Sequence, residues 1–202
     1  MNAPLLQIQG LQSGYGAVQV LRGVDLTVQP GETVALLGSN GAGKTTLNMT
    51  LSGLVATRAG RVVFDGTDIT GWHHRRVVQQ GLIHVPEGRK VFPNLSVREN
   101  VRLAIQARQA GRGEGGGLGG IDLLRVWLDR QAWIAEAQSI LEQVRLADKH
   151  DVHASALPHG DQRKLEVAML IALDPKVFMF DEPTAGMSVD EVPVILDLIR
   201  AL

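Results

Sequence analysis

The stretch GSNGAGKT, residues 38–45, constrains the fold of this 202-residue chain more than any other feature. It matches the pattern G-x-x-x-x-G-K-[ST], whose glycines let the backbone wrap around phosphate oxygens and direct N–H groups at them. The pattern requires a strand before it and a helix after it. TVALLG (33–38) predicts a buried strand, and LNMTLSGLV (47–55) predicts a helix that stops near Gly53. The sequence therefore predicts an α/β fold around a phosphate-binding loop.

Each residue of this loop has a predicted role in binding a nucleotide. Lys44 would reach the β- and γ-phosphates, and the Thr45 hydroxyl would bind Mg²⁺. The predicted nucleotide-binding residues of the loop are Gly38, Ser39, Asn40, Gly41, Ala42, Gly43, Lys44, Thr45 and Thr46. A chance glycine turn is the alternative interpretation, and the strand and helix predicted on either side make it the weaker one.

A second motif, at residues 177–182, is an apolar run that ends in two carboxylates. Val177 to Phe180 predict a buried strand, followed by Asp181 and Glu182. Asp181 would help hold Mg²⁺, and Glu182 would orient and deprotonate a water that attacks the γ-phosphate. The alternative is a solvated strand end. Together the two motifs predict that a nucleoside triphosphate is bound and hydrolysed, but they do not choose among kinases, GTPases, helicases and transport ATPases.

Composition excludes several other classes of protein. The formal net charge is −1 and aromatic residues make up 4%, which argues against a polyanion partner and against a stacking surface for single-stranded nucleic acid. The absence of cysteine excludes disulfides and thiolate metal sites. The N-terminus has no signal-peptide pattern, and no apolar run reaches the roughly 20 residues that span a bilayer. Any membrane role is therefore expected to be peripheral.

The remaining pattern predicts three parts of one domain. Strand-like runs bounded by Gly or Pro are LLQIQGLQ (5–12), VLRGVDLTVQ (20–29), GRVVFDG (60–66) and QGLIHVPEG (80–88). From Leu95 the spacing is helical, with Ser96 and Glu99 as a capping box. The glycine tract 111–120 predicts a flexible loop between helices. The predicted parts are a β region with the phosphate loop (1–94), a helical insert (95–173) and a return to the core whose last segment begins a helix (174–202).

The stretch ALPHGDQRKLE, residues 156–166, has two interpretations. Asp161 and the turn before it could simply cap a helix. Alternatively, the turn presents backbone amides at a helix N-terminus to a phosphate, as one wall of an active site. The local residues leave both open.

The order of these features resembles the ATP-binding subunits of ABC transporters, over essentially the whole chain. In that family a signature segment, commonly L-S-G-G-Q, opens a helix after a helical insert and faces the γ-phosphate bound by the other subunit of a dimer. The residues in the corresponding position are Leu157, Pro158, His159, Gly160, Asp161 and Gln162. The resemblance implies an ABC-type ATPase fold with an N-terminal antiparallel β region, and ATP and Mg²⁺ as cofactors.

The resemblance also implies the partners. A second ABC ATPase subunit, identical or not, would pair head to tail, with AGMS (185–188) crossing the interface. The pair would drive membrane-spanning permease subunits from the cytoplasmic side, at the inner face of the cell membrane, with no nucleic acid involved. Tyr15 matches the aromatic that stacks on adenine; considered alone, it would be a core or hairpin tyrosine.

The amino-acid sequences of the motifs are similar to those of the two ATPase subunits of branched-chain amino-acid uptake systems. LLGSNGAGKTTL and GLIHVPEGRKVFPNLSVRENV resemble one subunit, and ALPHGDQRKLEVAML with DEPTAGMS resembles the other. The expected cargo is therefore a branched-chain amino acid or a related small polar solute such as an amide.

The chain departs from the family pattern in three places. Glu87 replaces a glutamine that contacts Mg²⁺ and the attacking water; a carboxylate can still accept from water and bind Mg²⁺. Pro158 replaces the signature serine and has neither hydroxyl nor N–H. The family's γ-phosphate histidine would follow Leu202, so the C-terminal part of the domain is expected to be missing and hydrolysis to be slow.

The alternatives are a nucleotide-binding module that does not hydrolyse ATP, and an ABC ATPase acting on nucleic acid, which usually carries basic arms. His150 and His153 have metal-like spacing, but no second cluster supports a metal site.

Overall fold

The computed structural model describes residues 3–86, 91–111, 123–181 and 193. The fold is α/β. The strands in this part of the chain are β1 (Leu6–Tyr15), β2 (Val18–Val28), β3 (Thr57–Phe64), β4 (Thr67–Asp68), β5 (Leu82–Val85) and β6 (Val177–Phe180). The α-helices are α1 (Lys44–Leu51), α2 (His74–Gln80), α3 (Val97–Gly111), α4 (Leu123–Gln143) and α5 (His159–Leu173). Short 3-10 turns at Ala147–Lys149 and Ala154–Ala156 lead into α5.

These elements fall into two compact units. The first contains residues 3–86 and 176–181, and the second contains residues 91–111, 123–175 and 193. The division into a β region, a helical insert and a return to the core stays a prediction, as do its boundaries.

The first unit contains an antiparallel sheet in the order β2-β1-β3-β4. Leu6, Ile8 and Leu11 of β1 are buried, and the inward alternation shifts by one residue between Ile8 and Leu11. Gly10 lies in this bulge with φ 55°, opposite Gly60 with φ 91°. A Cβ at Gly60 would lie 2.5 Å from the Gly10 carbonyl oxygen, so the two strands can approach here only because Gly60 has no side chain. The antiparallel β region predicted near the N-terminus is confirmed.

A second, two-stranded sheet pairs β5 with β6 in parallel. Its register places Leu82 opposite Val177 and Val85 opposite Phe180. Both strands were predicted, but β6 is half-buried along its length rather than buried. The reason is that, in the described part of the chain, β6 pairs on one side only.

The prediction of a buried strand over TVALLG is wrong. Residues 33–38 form no strand and are exposed throughout, and the Leu37 side chain is 92% exposed. Their apolar character favours burial, but a strand also needs a neighbour to satisfy its backbone N–H and C=O groups. Neither sheet of the described residues includes this segment. The phosphate loop therefore follows an irregular segment, and only the helix after it forms as the motif requires.

Helix α1 begins directly after Gly43, whose φ of 96° turns the chain from the loop into the helix. It starts three residues before the predicted stretch, and Gly53, with φ 70°, follows its last turn as expected. Its buried face includes Leu47 and Leu51, which pack in the same core cluster as β1.

The second unit is a helical core. An apolar stripe of α3 is fully or almost fully buried: Val97, Val101, Ala104 and Ile105. It packs with Leu141 of α4 and Leu165 of α5 in one cluster. The predicted capping box at the start of α3 is confirmed, because Ser96 N donates to Glu99 Oε2 at 2.8 Å and Glu99 N donates to Ser96 Oγ at 3.2 Å.

Several predictions fall outside the described residues and stay predictions. They concern Glu87, Glu182, the loop 185–188, the helix predicted from residue 188 apart from Pro193, and all of the glycine tract except Gly111, which ends α3. In the part of the chain that the structure describes, no helix combines the length and the apolarity needed to cross a bilayer.

Candidate functional site

The loop between residues 38 and 45 makes a tight turn at the start of α1. Ala42 N donates to the Ser39 carbonyl at 3.1 Å, and Gly41 and Gly43 have φ of 83° and 96°. A Cβ at Gly43 would lie 3.1 Å from Val20 Cγ1. Gly43 is thus required both by its left-handed backbone and by the close approach of β2.

Lys44 is the first residue of α1, and its side chain folds back across the loop. Its Nζ donates to the carbonyl oxygens of Gly38 at 2.7 Å and Ser39 at 3.1 Å. Thr45 is exposed at the same helix N-terminus, whereas Thr46 is buried. An ammonium group, a helix N-terminus and an exposed hydroxyl form a set suited to a phosphate and its counter-cation.

Tyr15 ends β1, and its side chain is 47% exposed. Its hydroxyl lies 3.5 Å from Met49 Sδ on α1. The exposure contradicts the alternative of a core tyrosine, whereas the position in the β1–β2 hairpin is compatible with an exposed ring beside the helix that follows the loop. An exposed aromatic ring in this position can stack on a planar base.

A buried polar chain joins α1 to the strand that carries Tyr15. Thr50 Oγ1 lies 2.9 Å from Ser13 Oγ and 2.7 Å from the Thr46 carbonyl, so its one proton is shared between the two, and Ser13 Oγ donates to the Ala56 carbonyl at 2.8 Å. Thr50 is 5% exposed and Ser13 is fully buried. Sequence reasoning missed this link, although Ser13 is a polar residue at an inward-facing position of β1, two residues after Leu11.

Asp181 lies at the end of β6, where its backbone N donates to the Val85 carbonyl at 3.0 Å, and it is 8% exposed. A carboxylate and a hydroxyl are oxygen ligands of the kind that Mg²⁺ prefers, so Asp181 and Thr45 are chemically suited to it. Among the described residues no group of three or more His, Cys, Asp or Glu is arranged to hold a metal ion. The ring nitrogens of His150 and His153 contact the carbonyls of Ala147 and Asn94 at 2.7 and 3.1 Å, which favours a structural role for both.

The predicted signature turn leads into α5 in the second unit. Pro158 is the N-cap residue and supplies no side-chain cap, and Gln162 N makes the first intrahelical bond to the Pro158 carbonyl at 3.0 Å. Gln162 Nε2 donates to the Leu157 carbonyl at 2.9 Å, which closes the turn. The amides of Gly160 and Asp161 come before the first intrahelical bond and are directed along the helix axis at its positive end.

The interpretation that Asp161 caps α5 is wrong. Asp161 is the third helical residue, and its carboxylate forms ion pairs with Lys149 and Lys164 instead of accepting from the helix amides. Burial would raise the pKa of Asp161, but hydrogen bonds from Lys149 and Lys164 outweigh burial and hold this pKa below its ordinary value. The carboxylate is therefore charged at neutral pH.

The family described as ABC transporter matches residues 21–185. Among curated relatives, a probable ABC transporter ATP-binding protein of Azorhizobium caulinodans is 33% identical over 193 residues, which is 96% of this chain and 62% of that protein. The chain thus spans less than two thirds of that relative. The high-affinity branched-chain amino acid transport ATP-binding protein LivG of Escherichia coli is 31% identical over 205 residues, covering 100% of this chain and 78% of LivG. The ribose import ATP-binding protein RbsA 1 of Streptomyces coelicolor is 32% identical, and the match covers 37% of it.

Solved structures agree on the fold. The ADP conformation of MJ1267, an ATP-binding cassette of an ABC transporter, superposes with a TM-score of 0.78 at 21% identity, covering 99% of this chain and 77% of that one. CbiO1 of Clostridium perfringens, part of the transporter complex cbiONQ, gives a TM-score of 0.78 at 22% identity, covering 99% and 74%. At these identities the likeness concerns the fold alone.

Proposed function

Because the chain belongs to the ABC transporter family of ATPases, we propose that it binds and hydrolyses ATP as the subunit that powers a membrane importer. The observation that carries this proposal is the phosphate loop, in which left-handed Gly41 and Gly43 lead directly into α1 and Lys44 lies across the turn. A loop of this form holds phosphates through backbone amides and one ammonium group.

In this proposal ATP binds to the first unit. The adenine base stacks on the exposed face of Tyr15, while the β- and γ-phosphates take the loop amides and Lys44. The Thr50–Ser13 hydrogen bond supports this arrangement, because it ties the helix of the loop to the strand of Tyr15. Mg²⁺, held by Thr45 and Asp181 with Glu87, would neutralise charge on the phosphates.

Hydrolysis requires a second subunit in this proposal. Glu182 would act as the general base for the attacking water, and Glu87 would orient that water. The partner's turn Leu157–Gln162 would face the γ-phosphate, with loop 185–188 at the interface. The helix N-terminus at Gly160 and Asp161 supports this role, because it offers amides and a favourable dipole to an anion.

The solute is a finer proposal than the family. LivG and the related proteins BraG and BraF of Pseudomonas aeruginosa are named for branched-chain amino acid transport, and they are 29–31% identical to this chain. The ribose import protein RbsA 1 is equally similar at 32%, so identity alone does not select the solute. We propose a branched-chain amino acid or a related small polar solute, because the relatives named for these amino acids match over most of their own length.

The partners follow from the same proposal. The second unit and the region around Glu87 would dock on membrane-spanning permease subunits, which places this chain at the inner face of the membrane, in the cytoplasm. The partner ATPase is identical to this chain or a related subunit, and no nucleic acid takes part.

Dimerisation driven by ATP tests the proposal. In the full chain, Glu182→Gln should slow hydrolysis and allow Mg-ATP to produce a dimer in size-exclusion chromatography. Adding Lys44→Ala should prevent dimerisation by removing nucleotide, and adding Gly160→Asp should prevent it while ATP affinity stays the same, because a side chain and a negative charge then fill the space of the partner's γ-phosphate.

Two outcomes would change the conclusion. If Gly160→Asp still dimerises, the turn before α5 does not take part in the site. If the parent chain binds ATP but releases phosphate only at the background rate, alone and with permease subunits, a nucleotide-binding module without ATPase activity replaces the proposed enzyme.

A further inference from the structure

The Asp161 carboxylate is held from two directions by lysine side chains. Oδ2 pairs with Lys149 Nζ, and Oδ1 accepts from Lys164 Nζ at 2.8 Å. Lys164 lies one turn further along α5, whereas Lys149 ends the 3-10 turn that precedes α5 by ten residues or so in the chain. The Asp161 side chain is 11% exposed, so little water competes for its oxygen atoms. The first turn of α5 is thereby bound to a separate segment of the second unit.

The segment that supplies Lys149 is itself anchored. Leu146, just before the 3-10 turn, is fully buried in the helical core, and Lys149 N donates to the Leu146 carbonyl at 3.0 Å. Val152 N donates to the Lys149 carbonyl at 2.9 Å. The backbone on both sides of Lys149 is therefore hydrogen-bonded. Because Lys149 is held in place, its ion pair with Asp161 can restrain the Asp161 side chain in the first turn of α5.

The charge of Asp161 explains why its ion pairs matter in the first turn of α5. Asp161 lies in the helical turn that is proposed to receive a phosphate, where an unpaired carboxylate would repel the ligand. Lys149 and Lys164 both pair with this carboxylate, so its negative charge is compensated beside the helix N-terminus. The two lysines also engage both carboxylate oxygens, one each.

We propose that Lys149 is a positioning residue for the ATP-dependent dimer: together with Lys164 it holds and compensates the Asp161 carboxylate, which would otherwise repel the partner's γ-phosphate. Lys149 acts without touching the nucleotide. This inference rests on the proposed function, since it concerns the half of the site that the second subunit completes.

The test measures the ATP concentration that gives half-maximal dimer in the full-length Glu182→Gln chain. Lys149→Met should raise this concentration about tenfold, the usual effect of losing one charge-assisted hydrogen bond. Lys149→Arg should keep the parent value because it keeps the charge. Lys149→Met combined with Asp161→Asn should recover most of the loss, because the carboxylate that Lys149 holds is then absent. Lys176→Met, which removes an exposed ion pair with Asp65 in the first unit, is the matched control.

Two further measurements separate positioning from simple stability. The affinity of the monomer for a fluorescent ATP analogue should be the same in all four variants, since the phosphate loop is in the other unit. Melting temperatures should not follow the dimerisation results, because Lys149→Met and the double variant both lack the ion pair.

Each outcome decides the inference. If the Glu182→Gln parent stays monomeric in Mg-ATP, the proposed function fails and the inference fails with it. If the parent dimerises and Lys149→Met does so at the same ATP concentration, only the inference is overturned. If the double variant is as impaired as Lys149→Met, the ion pair is merely structural, which also overturns the inference.

Discussion

The hydroxyl groups of Thr50 and Ser13 lie 2.9 Å apart in the core of the first unit. Thr50 belongs to the helix that begins with Lys44, and Ser13 belongs to the strand that ends with Tyr15. This buried contact therefore links the two elements that carry the residues proposed for phosphate and for adenine. In the proposed nucleotide site, this pair would support the ligand without touching it.

Replacing Thr50 by Val should lower the free energy of unfolding by about 1–3 kcal/mol, because Ser13 loses a buried partner and the shape of the side chain is kept. Urea denaturation measures this change. Thr27→Val, at an exposed position of β2, is the matched control and should change stability by less than about 0.5 kcal/mol. Equal effects of the two substitutions would contradict the importance of the Thr50–Ser13 link.

Lys44→Ala should weaken ATP binding by more than about tenfold, because a charge-assisted contact contributes roughly 1.5–3 kcal/mol. Titration with a fluorescent ATP analogue gives the affinity. Lys176→Ala also removes an ammonium group in the first unit and should leave the affinity unchanged. Unchanged binding in Lys44→Ala would remove the assignment of the phosphate loop.

Tyr15→Ala should weaken the binding of ATP about fivefold to tenfold, because aromatic stacking contributes about 1–1.5 kcal/mol. Tyr15→Phe keeps the ring and loses only the contact of the hydroxyl with Met49, so its affinity should stay close to that of the parent. The same titration, repeated with inorganic triphosphate as competitor, should show no difference between the variants. Weak binding in both Ala and Phe variants would indicate that the hydroxyl, not the ring, matters.

Asn100→Leu should destabilise the second unit by about 2–3 kcal/mol. Asn100 is fully buried on the apolar stripe of α3; its Oδ1 accepts from Phe92 N at 2.8 Å, and its Nδ2 donates to the Ser96 carbonyl at 2.9 Å. Leu fits the apolar surroundings but leaves the Phe92 amide without its partner. Thermal unfolding measures this change. Asn94→Leu, at an exposed position, is the control and should not lower the stability.

The lowered pKa of Asp68 predicts that the free energy of unfolding decreases in acid. Hydrogen bonds from Thr70 and Arg61 lower the pKa of Asp68 from 3.8 to about 2. The stabilisation is complete above the ordinary pKa and is lost as the pH falls from about 4 through about 2, because protonation is easier in the unfolded chain. The stability difference between the parent and Asp68→Asn, measured in urea at pH 6 and at pH 3, should shrink at the lower pH. A constant difference would show that Asp68 does not titrate in this range.

Local sequence signals predicted the helix after the phosphate loop and the helices from residue 95 onward, because each depends on residues close in the chain, but they gave no prediction of α2. The capping box of Ser96 and Glu99 is one case, and the arrest of α1 before Gly53 is another. The wrong strand at residues 33–38 shows the opposite situation. Apolar composition indicates that a segment tends to be buried, but pairing partners are distant in sequence and no local pattern encodes them.

The candidate site divides in the same way. The pairing of Asp161 with Lys164 is readable as a spacing of three on a helix, whereas Lys149 comes from another segment and gave no signal. Asn100 did give one, as a polar residue on the apolar stripe that includes Val97 and Val101, and it was overlooked. The contact of Lys149 with Asp161 could not be predicted, because it depends on the shape of the turns between the two residues, and no local sequence pattern specifies that shape.

The exposed segment 33–38 has a consequence for handling the protein. Val34, Leu36 and Leu37 lie in an uncharged apolar run, and these residues are 37%, 39% and 92% exposed. An exposed apolar run of this kind favours association between chains through its apolar side chains. We expect the purified protein to form aggregates without nucleotide, to form more of them at higher protein concentration, and to form none with Leu37→Lys. Size-exclusion chromatography with ATP should therefore be compared with the same protein at the same concentration without ATP.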